Sequence, residues 1–596
     1  MTISQHGSSS SQQGPPLVSQ DAQEVHRYAS QALDLITRWV DKGATDPDEP
    51  TSRWPDSASL RKSRRSNGHK ARFSLGDAGV SQDETVAFLS QTLTDSVHPW
   101  TRRFLDKLYA KPTTLAPAIE MILGALNPST VISSAAPALC LAEEECVEAL
   151  ARLMGWDVGL ADGLTMPGGS ASNILAVQTA LGNAFPSFKQ GGVLGVVEDL
   201  AGKGRRGKAC RPLLVTSAQS HYSMEKAALA CGLGLESVVK VRCDATGRMD
   251  VVELQRVLQE AYENTEGSPD RTAGWPFFIG ATAGTTVLGA FDDLAGIASV
   301  VRSLQTHHAG AQPWLHVDGS WGGPVLFSSH SRRLMAGVEH ADSVTINPHK
   351  ALNVTQQCSF ALFRHGTTLA ANVTGAKYLF HGTGTGMERE ALRRNPGSKT
   401  MGCGRRADAF KFYVAWLHTG ASGFGGHIDQ GVAMARRVAD LLETGKYKET
   451  LQLAEAMPSR EDLFFNVCFR PRMGEDVRTA ITRSAAAQTG GGESANGSTA
   501  DLIETACSRL ASRATVHVHA AISRSGRFSI DRAPLSPPHG RGYYTRLISH
   551  PDTPFEVFET IVGEIARVGQ AFFKEEVVSV LESGRSLRDL LREEDD

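Results

Sequence analysis

From about residue 165 to about residue 365, short apolar runs alternate with spans of helical spacing, and that alternation most restricts what the chain can become. Residues 212–216, 277–282, 314–317, 343–346 and 357–363 each read as a strand. Strands separated by helices predict an α/β fold with a mostly parallel sheet and helices on both faces. Open sheets of this kind bind ligands beyond the C-terminal ends of their strands. Asp318 ends one apolar run, and Asn347-Pro348 stops another just before Lys350. One crevice is therefore expected to present both a carboxylate and an amine.

Pyridoxal phosphate requires that pair. A lysine amine condenses with its aldehyde, and an acidic partner keeps its ring nitrogen protonated. Either residue alone reads equally well as an ordinary surface group at a strand end; the signal is the two together at these spacings. Through Val317-Asp318 with Trp321-Gly322-Gly323, and through Asn347-Pro348-His349-Lys350, the chain resembles the group II pyridoxal-phosphate-dependent amino-acid decarboxylases. It is most similar to the branch holding animal-type glutamate decarboxylase and cysteine sulfinate decarboxylase. The similarity runs from about His98 to about Gln570.

That resemblance implies a fold-type I, aminotransferase-like architecture, a pyridoxal 5'-phosphate cofactor and a homodimer with its sites near the interface. It implies decarboxylation of a small amino-acid substrate, with glutamate, aspartate or cysteine sulfinate favoured. An aromatic substrate, an aldehyde-forming decarboxylation and a catalytically silent binding relative are the alternatives. In the implied reaction the incoming amine displaces Lys350, the α-carboxylate leaves as CO2 and Cα is protonated.

Candidate site residues follow from position and resemblance together. The stretch Pro167-Gly168-Gly169-Ser170-Ala171-Ser172-Asn173 precedes an apolar helix. Its glycines and the helix N-terminus suit an anion, although Ser172 or Asn173 could simply cap the helix. The resemblance makes it a phosphate cup with contacts at Ala171 and Ser172. His221 lies at a strand-to-helix turn, where a capping role is the alternative to stacking on the cofactor ring. Thr282 matches a residue near the ring hydroxyl, or is merely a β-former. His349 is expected on the phosphate, or as a spacer beside Lys350. Ser320 stands with Gly319 where relatives carry Ala-Ala, so the surface against the ring differs. Thr165 and Arg546 are candidates for the substrate. Relatives place an arginine where this chain has Thr545, and neighbouring strand residues face opposite sides, so Arg546 is expected to serve only if the strand is bulged or slipped. The Gly-rich loop near residues 374–399 has no tyrosine between Gly382 and Asn395. Tyr378, His381 and Glu390 are the groups available there to deliver the Cα proton.

At 596 residues and 41% hydrophobic, the chain is long enough for more than one domain. A net charge of -3 excludes a general nucleic-acid binder. No apolar run is long enough to span a bilayer. The polar first twenty residues carry no cationic start or apolar core, so the cytoplasm is expected. Nine scattered cysteines without a CxxC predict no metal site and suit a reducing compartment. Four regions are expected: a weakly structured extension over 1–79 with one helix at 21–42 and a basic linker at 61–65; a helical segment over 80–155; a large cofactor domain over 156–415; and a smaller C-terminal α+β domain over 416–596 with a disordered insert at about 484–500.

Overall fold

The computed structural model describes residues 19–66, 77–201, 210–263, 274–307, 313–372, 395–489 and 496–592. They divide into two compact units.

The first unit runs to Arg103 and includes Gly526–Phe528. Helix α1 (Gln20–Thr45) starts where the Ser19 hydroxyl accepts the Ala22 N–H, satisfying a donor that helix geometry leaves orphaned. Helix α2 (Ser57–Ser66) takes up the basic run expected to be linker; long unbranched Arg and Lys side chains lose little freedom in a helix. Helix α3 (Gln82–Asp95) opens on a capping box between Ser81 and Glu84. His98 stacks on Trp39 with ring centroids 4.0 Å apart. Thr51 donates its N–H to the Gly526 carbonyl and shares a hydroxyl bond with Thr101. These contacts extend the unit past residue 79, where the sequence reading placed its end.

The second unit holds both sheets. Strands β1 (Asp162–Met166), β2 (Pro212–Ser217), β3 (Val238–Val241), β4 (Trp275–Thr282), β5 (Trp314–Gly319), β6 (Ser343–Ile346) and β7 (Ser359–Phe363) are ordered β1-β7-β6-β5-β4-β2-β3. From β3 to β6 every pairing is parallel, and only β7 runs against its neighbours. Every residue of β2, β6 and β7 is buried, as in a sheet covered on both faces. Strands β8 (Leu451–Leu453), β9 (Asn466–Pro471), β10 (Asp531–Leu535) and β11 (Gly542–Ile548) make a smaller antiparallel sheet in the order β10-β11-β9-β8.

Helices α4 (Ala116–Leu126), α5 (Pro137–Leu153) and α6 (Gly169–Ala184) also belong to this unit. The stretch expected to be a disordered insert is mostly the end of helix Glu475–Thr489 and the start of helix Asn496–Ser525; residues 490–495 lie outside the described set. Ala485 is fully buried in the core of this helical pair, which explains why small residues are used there. Trp321 donates its indole N–H to Asn466 Oδ1 at 2.8 Å, and Asn466 donates to the carbonyls of Thr286 and Val287. The Trp-Gly-Gly tryptophan thus fastens the large sheet to the small one. Among the described residues no helix is long and apolar enough to cross a membrane.

Candidate active site

Parallel pairing brings the strand ends level. Thr282 is the register partner of Asp318, and Asp318 that of Thr345. Beyond β6 the chain reaches Asn347 and Lys350, and beyond β2 it reaches His221. Burial pulls the Lys350 pKa below its ordinary value; the charge of Asp318 opposes this and that of Arg546 adds to it. Asp318 is fully enclosed, and burial alone would raise its pKa. A hydrogen bond from the Ser320 side chain and the charges of Lys350, His221 and His316 hold it below the usual range, and the Ser320 N–H donates to Oδ1 at 3.0 Å. Its other oxygen accepts from Asn173 Nδ2 at 2.8 Å. Asp318 is therefore an anion at neutral pH. His221 Nδ1 accepts the Ser223 N–H at 3.2 Å, which leaves the ring proton on Nε2. Burial, opposed by Asp318 and helped by Lys350 and Lys226, lowers its pKa and favours the neutral ring.

Helix α6 begins at Gly169, with Gly168 at the cap at a positive φ (94°) and no side-chain cap. Neither Ser172 nor Asn173 is the N-cap. A Cβ on Gly169 would lie 2.5 Å from Ser320 Oγ and 2.8 Å from Asn347 Nδ2. The uncapped N-terminus is thus pressed against the residues that follow β5 and β6, and its N–H groups and dipole suit a phosphate. Ser172 is buried inside the helix; its hydroxyl bonds that of Ser359 at 2.8 Å, which bonds Asn347 Oδ1 at 2.6 Å. That hydroxyl is therefore spent, and a role for Ser172 at the phosphate falls to its place in the first helical turn beside Ala171. His349 Nδ1 lies 2.6 Å from the Cys358 carbonyl. Burial takes its pKa down to about 4.

Thr282 donates its N–H to Asp292 Oδ2 at 2.7 Å. Asp292, which burial raises to about 6, also takes the Met249 N–H. The Thr282 hydroxyl is buried and has no partner among the described residues. A buried polar atom without a partner calls for an explanation, and a ligand oxygen supplies one. These residues fit pyridoxal phosphate: an anion for the ring nitrogen, an amine for the aldehyde, an uncapped helix for the phosphate and an unspent hydroxyl beside the carboxylate.

Arg546 was expected to serve the substrate only from a bulged or slipped strand. Its strand is regular, with Arg546 opposite Asp531 on one side and Cys468 on the other. Without any bulge its Nη1 reaches the Thr286 carbonyl at 2.8 Å, in the turn after β4. Nη2 donates to the Asp106 carbonyl (2.7 Å) and to Asp531 Oδ2 (2.6 Å). Its Nε is buried without a partner among the described residues. Thr165 corrects an expectation. Its hydroxyl and N–H both donate to Glu143 Oε1, at 2.6 and 2.7 Å, and Arg405 Nη2 reaches the same oxygen at 2.7 Å. With its one hydroxyl hydrogen held by a buried carboxylate, Thr165 is a structural residue. It lines, with Ala171 and Arg405, a cavity of about 430 Å³ whose walls include neither Lys350 nor Asp318.

Sequence reasoning missed His316 and the part Asn173 plays at Asp318. His316 lies two residues before Asp318, hence on the same strand face, and that spacing was the available signal. Tyr378, His381 and Glu390 lie outside the described residues. Among the described residues no group of three His, Cys, Asp or Glu is placed to hold a metal ion.

The sheet order and the groups at its C-terminal edge define a fold-type I pyridoxal-phosphate enzyme. The chain belongs to the pyridoxal-dependent decarboxylase family, whose conserved domain matches residues 80–472. It is 35% identical over 374 residues to an L-aspartate decarboxylase of Metarhizium robertsii, covering 62% of this chain and 68% of that one. It is 34% identical over 451 residues to an acidic amino acid decarboxylase of Mus musculus (75% and 73% covered). A rat cysteine sulfinic acid decarboxylase is 36% identical over 398 residues (66% and 72% covered). The crystal structure of mouse CSAD in apo form superimposes with a TM-score of 0.73 at 27% identity, covering 92% of this chain and 99% of the other. The protein is a pyridoxal-phosphate-dependent amino-acid decarboxylase.

Proposed function

We propose that the substrate is an acidic L-amino acid, decarboxylated to its amine and CO2. The observation that carries this reading is Arg546, a buried guanidinium whose Nη groups are held by Asp531 and the carbonyls of Thr286 and Asp106 but whose Nε–H is unspent, close enough for its charge to act on Lys350. A side-chain carboxylate or sulfinate would be oriented by that cation, as charged donors recognise such groups most strongly. The acidic substrates named for the relatives support the same choice.

Bound pyridoxal phosphate supplies the electron sink that makes loss of the α-carboxylate feasible. Lys350 would hold its aldehyde, and Asp318 would keep a proton on the ring nitrogen. His221 would stack on the ring and orient the substrate's α-carboxylate. The Thr282 hydroxyl would be available to the ring oxygen, and Ser320 would line the ring's surroundings. The first turn of α6, at Ala171 and Ser172, and His349 would hold the phosphate. The Cα proton would come from an acid of the stretch that the sequence alone reads as a loop over 374–399, with Tyr378, His381 and Glu390, all outside the described residues, as candidates. Met121, Ile122 and Leu126 on α4 and Leu141 on α5 are large apolar side chains 42–57% exposed, which supports a homodimer burying that face. Nine free cysteines support a reducing, cytoplasmic setting.

CO2 release measured across the proteinogenic amino acids and cysteine sulfinate tests the reading. Turnover confined to acidic substrates is expected; turnover of aromatic ones, or carbonyl rather than amine product, would replace it. Borohydride reduction and peptide mapping should place the pyridoxyl group on Lys350, and a label on another lysine would remove that assignment.

A further inference from the structure

Behind Asp318 lies a chain of hydrogen bonds whose direction is fixed at both ends. Trp314 Nε1 can only donate, and it does so to Ser343 Oγ at 2.7 Å. The hydroxyl hydrogen of Ser343 is then free for His316 Nδ1 at 2.8 Å. With Nδ1 accepting, the neutral imidazole carries its proton on Nε2 and donates to Asn173 Oδ1 at 3.1 Å. Thr345 Oγ1 donates to the same amide oxygen at 2.8 Å. Two donors thus pin that oxygen, and the amide nitrogen must face the other way. There it gives one N–H to Asp318 Oδ2 and one to Ser223 Oγ, both at 2.8 Å. His316, Ser343 and Thr345 carried no role expected from the sequence, and with Asn173 they are all buried to within 1%.

We propose that Asn173 and His316 are positioning residues for the ring partner: the chain from Trp314 fixes the amide of Asn173 so that an N–H, never the oxygen, meets Asp318. This rests on the reading of Asp318 as the partner of the ring nitrogen. A carboxylate can rotate about its Cβ–Cγ bond, and an amide that flipped would set oxygen against oxygen. With Ser320 N–H on Oδ1 and Asn173 on Oδ2, one lone pair of each oxygen is spent and the plane of the carboxylate is set. Asn173 also lies on α6, so the same residue couples the phosphate cup to the ring partner.

The test uses holoenzyme reconstituted with pyridoxal phosphate carrying 15N in the ring, observed without substrate. In wild type the ring-nitrogen resonance reports the protonated form. His316→Phe keeps the volume and aromatic packing but loses both nitrogens; Asn173→Leu removes the N–H on Asp318 directly. Both are expected to move the resonance toward the unprotonated position and to lower kcat roughly ten-fold, the scale of one hydrogen bond to a charged group, with KM changed less than about two-fold. His316→Gln, which retains a donor for Asn173, should restore most of both. Should one variant not yield soluble protein, the other decides. Unmoved resonances in His316→Phe and Asn173→Leu, with a moved one in an Asp318→Asn control, would overturn the positioning role and leave Asp318 in place. An unmoved resonance in that control would overturn both.

Discussion

Thr282 and Asp318 are register partners on adjacent parallel strands, and they are opposites in hydrogen bonding. Both oxygens of Asp318 are satisfied inside the protein, whereas the buried Thr282 hydroxyl has no partner among the described residues. The carboxylate is held in readiness and the hydroxyl is left over.

Thr282→Val keeps the shape and removes the unspent hydroxyl. Burying an unpaired hydroxyl costs about 1–3 kcal/mol, so the cofactor-free variant is expected to melt at or above the wild-type temperature. The same change should weaken cofactor binding, because the ring oxygen loses its donor. Thermal melting with and without pyridoxal phosphate checks both signs; a variant less stable without cofactor and unchanged with it would contradict the argument.

Asp318→Asn should still bind cofactor but lose roughly 100- to 1,000-fold in kcat, the scale on which a preorganised electrostatic partner acts. A neutral amide cannot hold the proton on the ring nitrogen. Turnover at saturating cofactor near the wild-type value would remove Asp318 from that role.

In cofactor-free protein Lys350 gives a pH dependence of definite sign. Burial lowers its folded pKa below the ordinary 10.5, so between the folded and unfolded values the unfolded chain binds more protons. Stability therefore rises with pH through that interval. Lys350→Met removes the buried charge and should be more stable than wild type at neutral pH, with the gap closing as pH approaches about 10. Chemical denaturation of both proteins from neutral to alkaline pH follows the difference; a gap that widened with pH would reverse the assignment of burial as the dominant cause.

Arg546→Met should lower kcat/KM for acidic substrates by roughly 100-fold, as expected for losing a charge-assisted pair of about 3 kcal/mol. Activity on neutral amino acids, however weak, should fall far less, so the ratio between the two is the measure. The melting temperature should also drop, because Asp531 and the carbonyls of Thr286 and Asp106 lose their donor.

Much of this was legible before any coordinates. Alternating strands and helices pointed to the parallel sheet, in which Asp318 lies at the end of β5 and Lys350 four residues beyond β6. What stayed hidden depended on tertiary partners. Thr165 looked available, but Glu143, twenty-two positions away, takes its hydroxyl. Nothing in the sequence signalled that the turn after β4 meets Arg546, which donates to the Thr286 carbonyl. The basic run at 61–65 reads as linker by charge, and only its place between two helices of a small unit shows it wound into α2.

Gly169 and Asn173 share one helix, separated along its axis by about 6 Å. The first presses the anion-binding turn against Ser320 and Asn347; the second grips the carboxylate that meets the ring. Helix α6 is consequently a caliper. Because its jaws are joined by a rigid turn of backbone, a cofactor analogue with a longer phosphate arm would satisfy one jaw or the other but not both, so recognition there would depend on length as well as on charge.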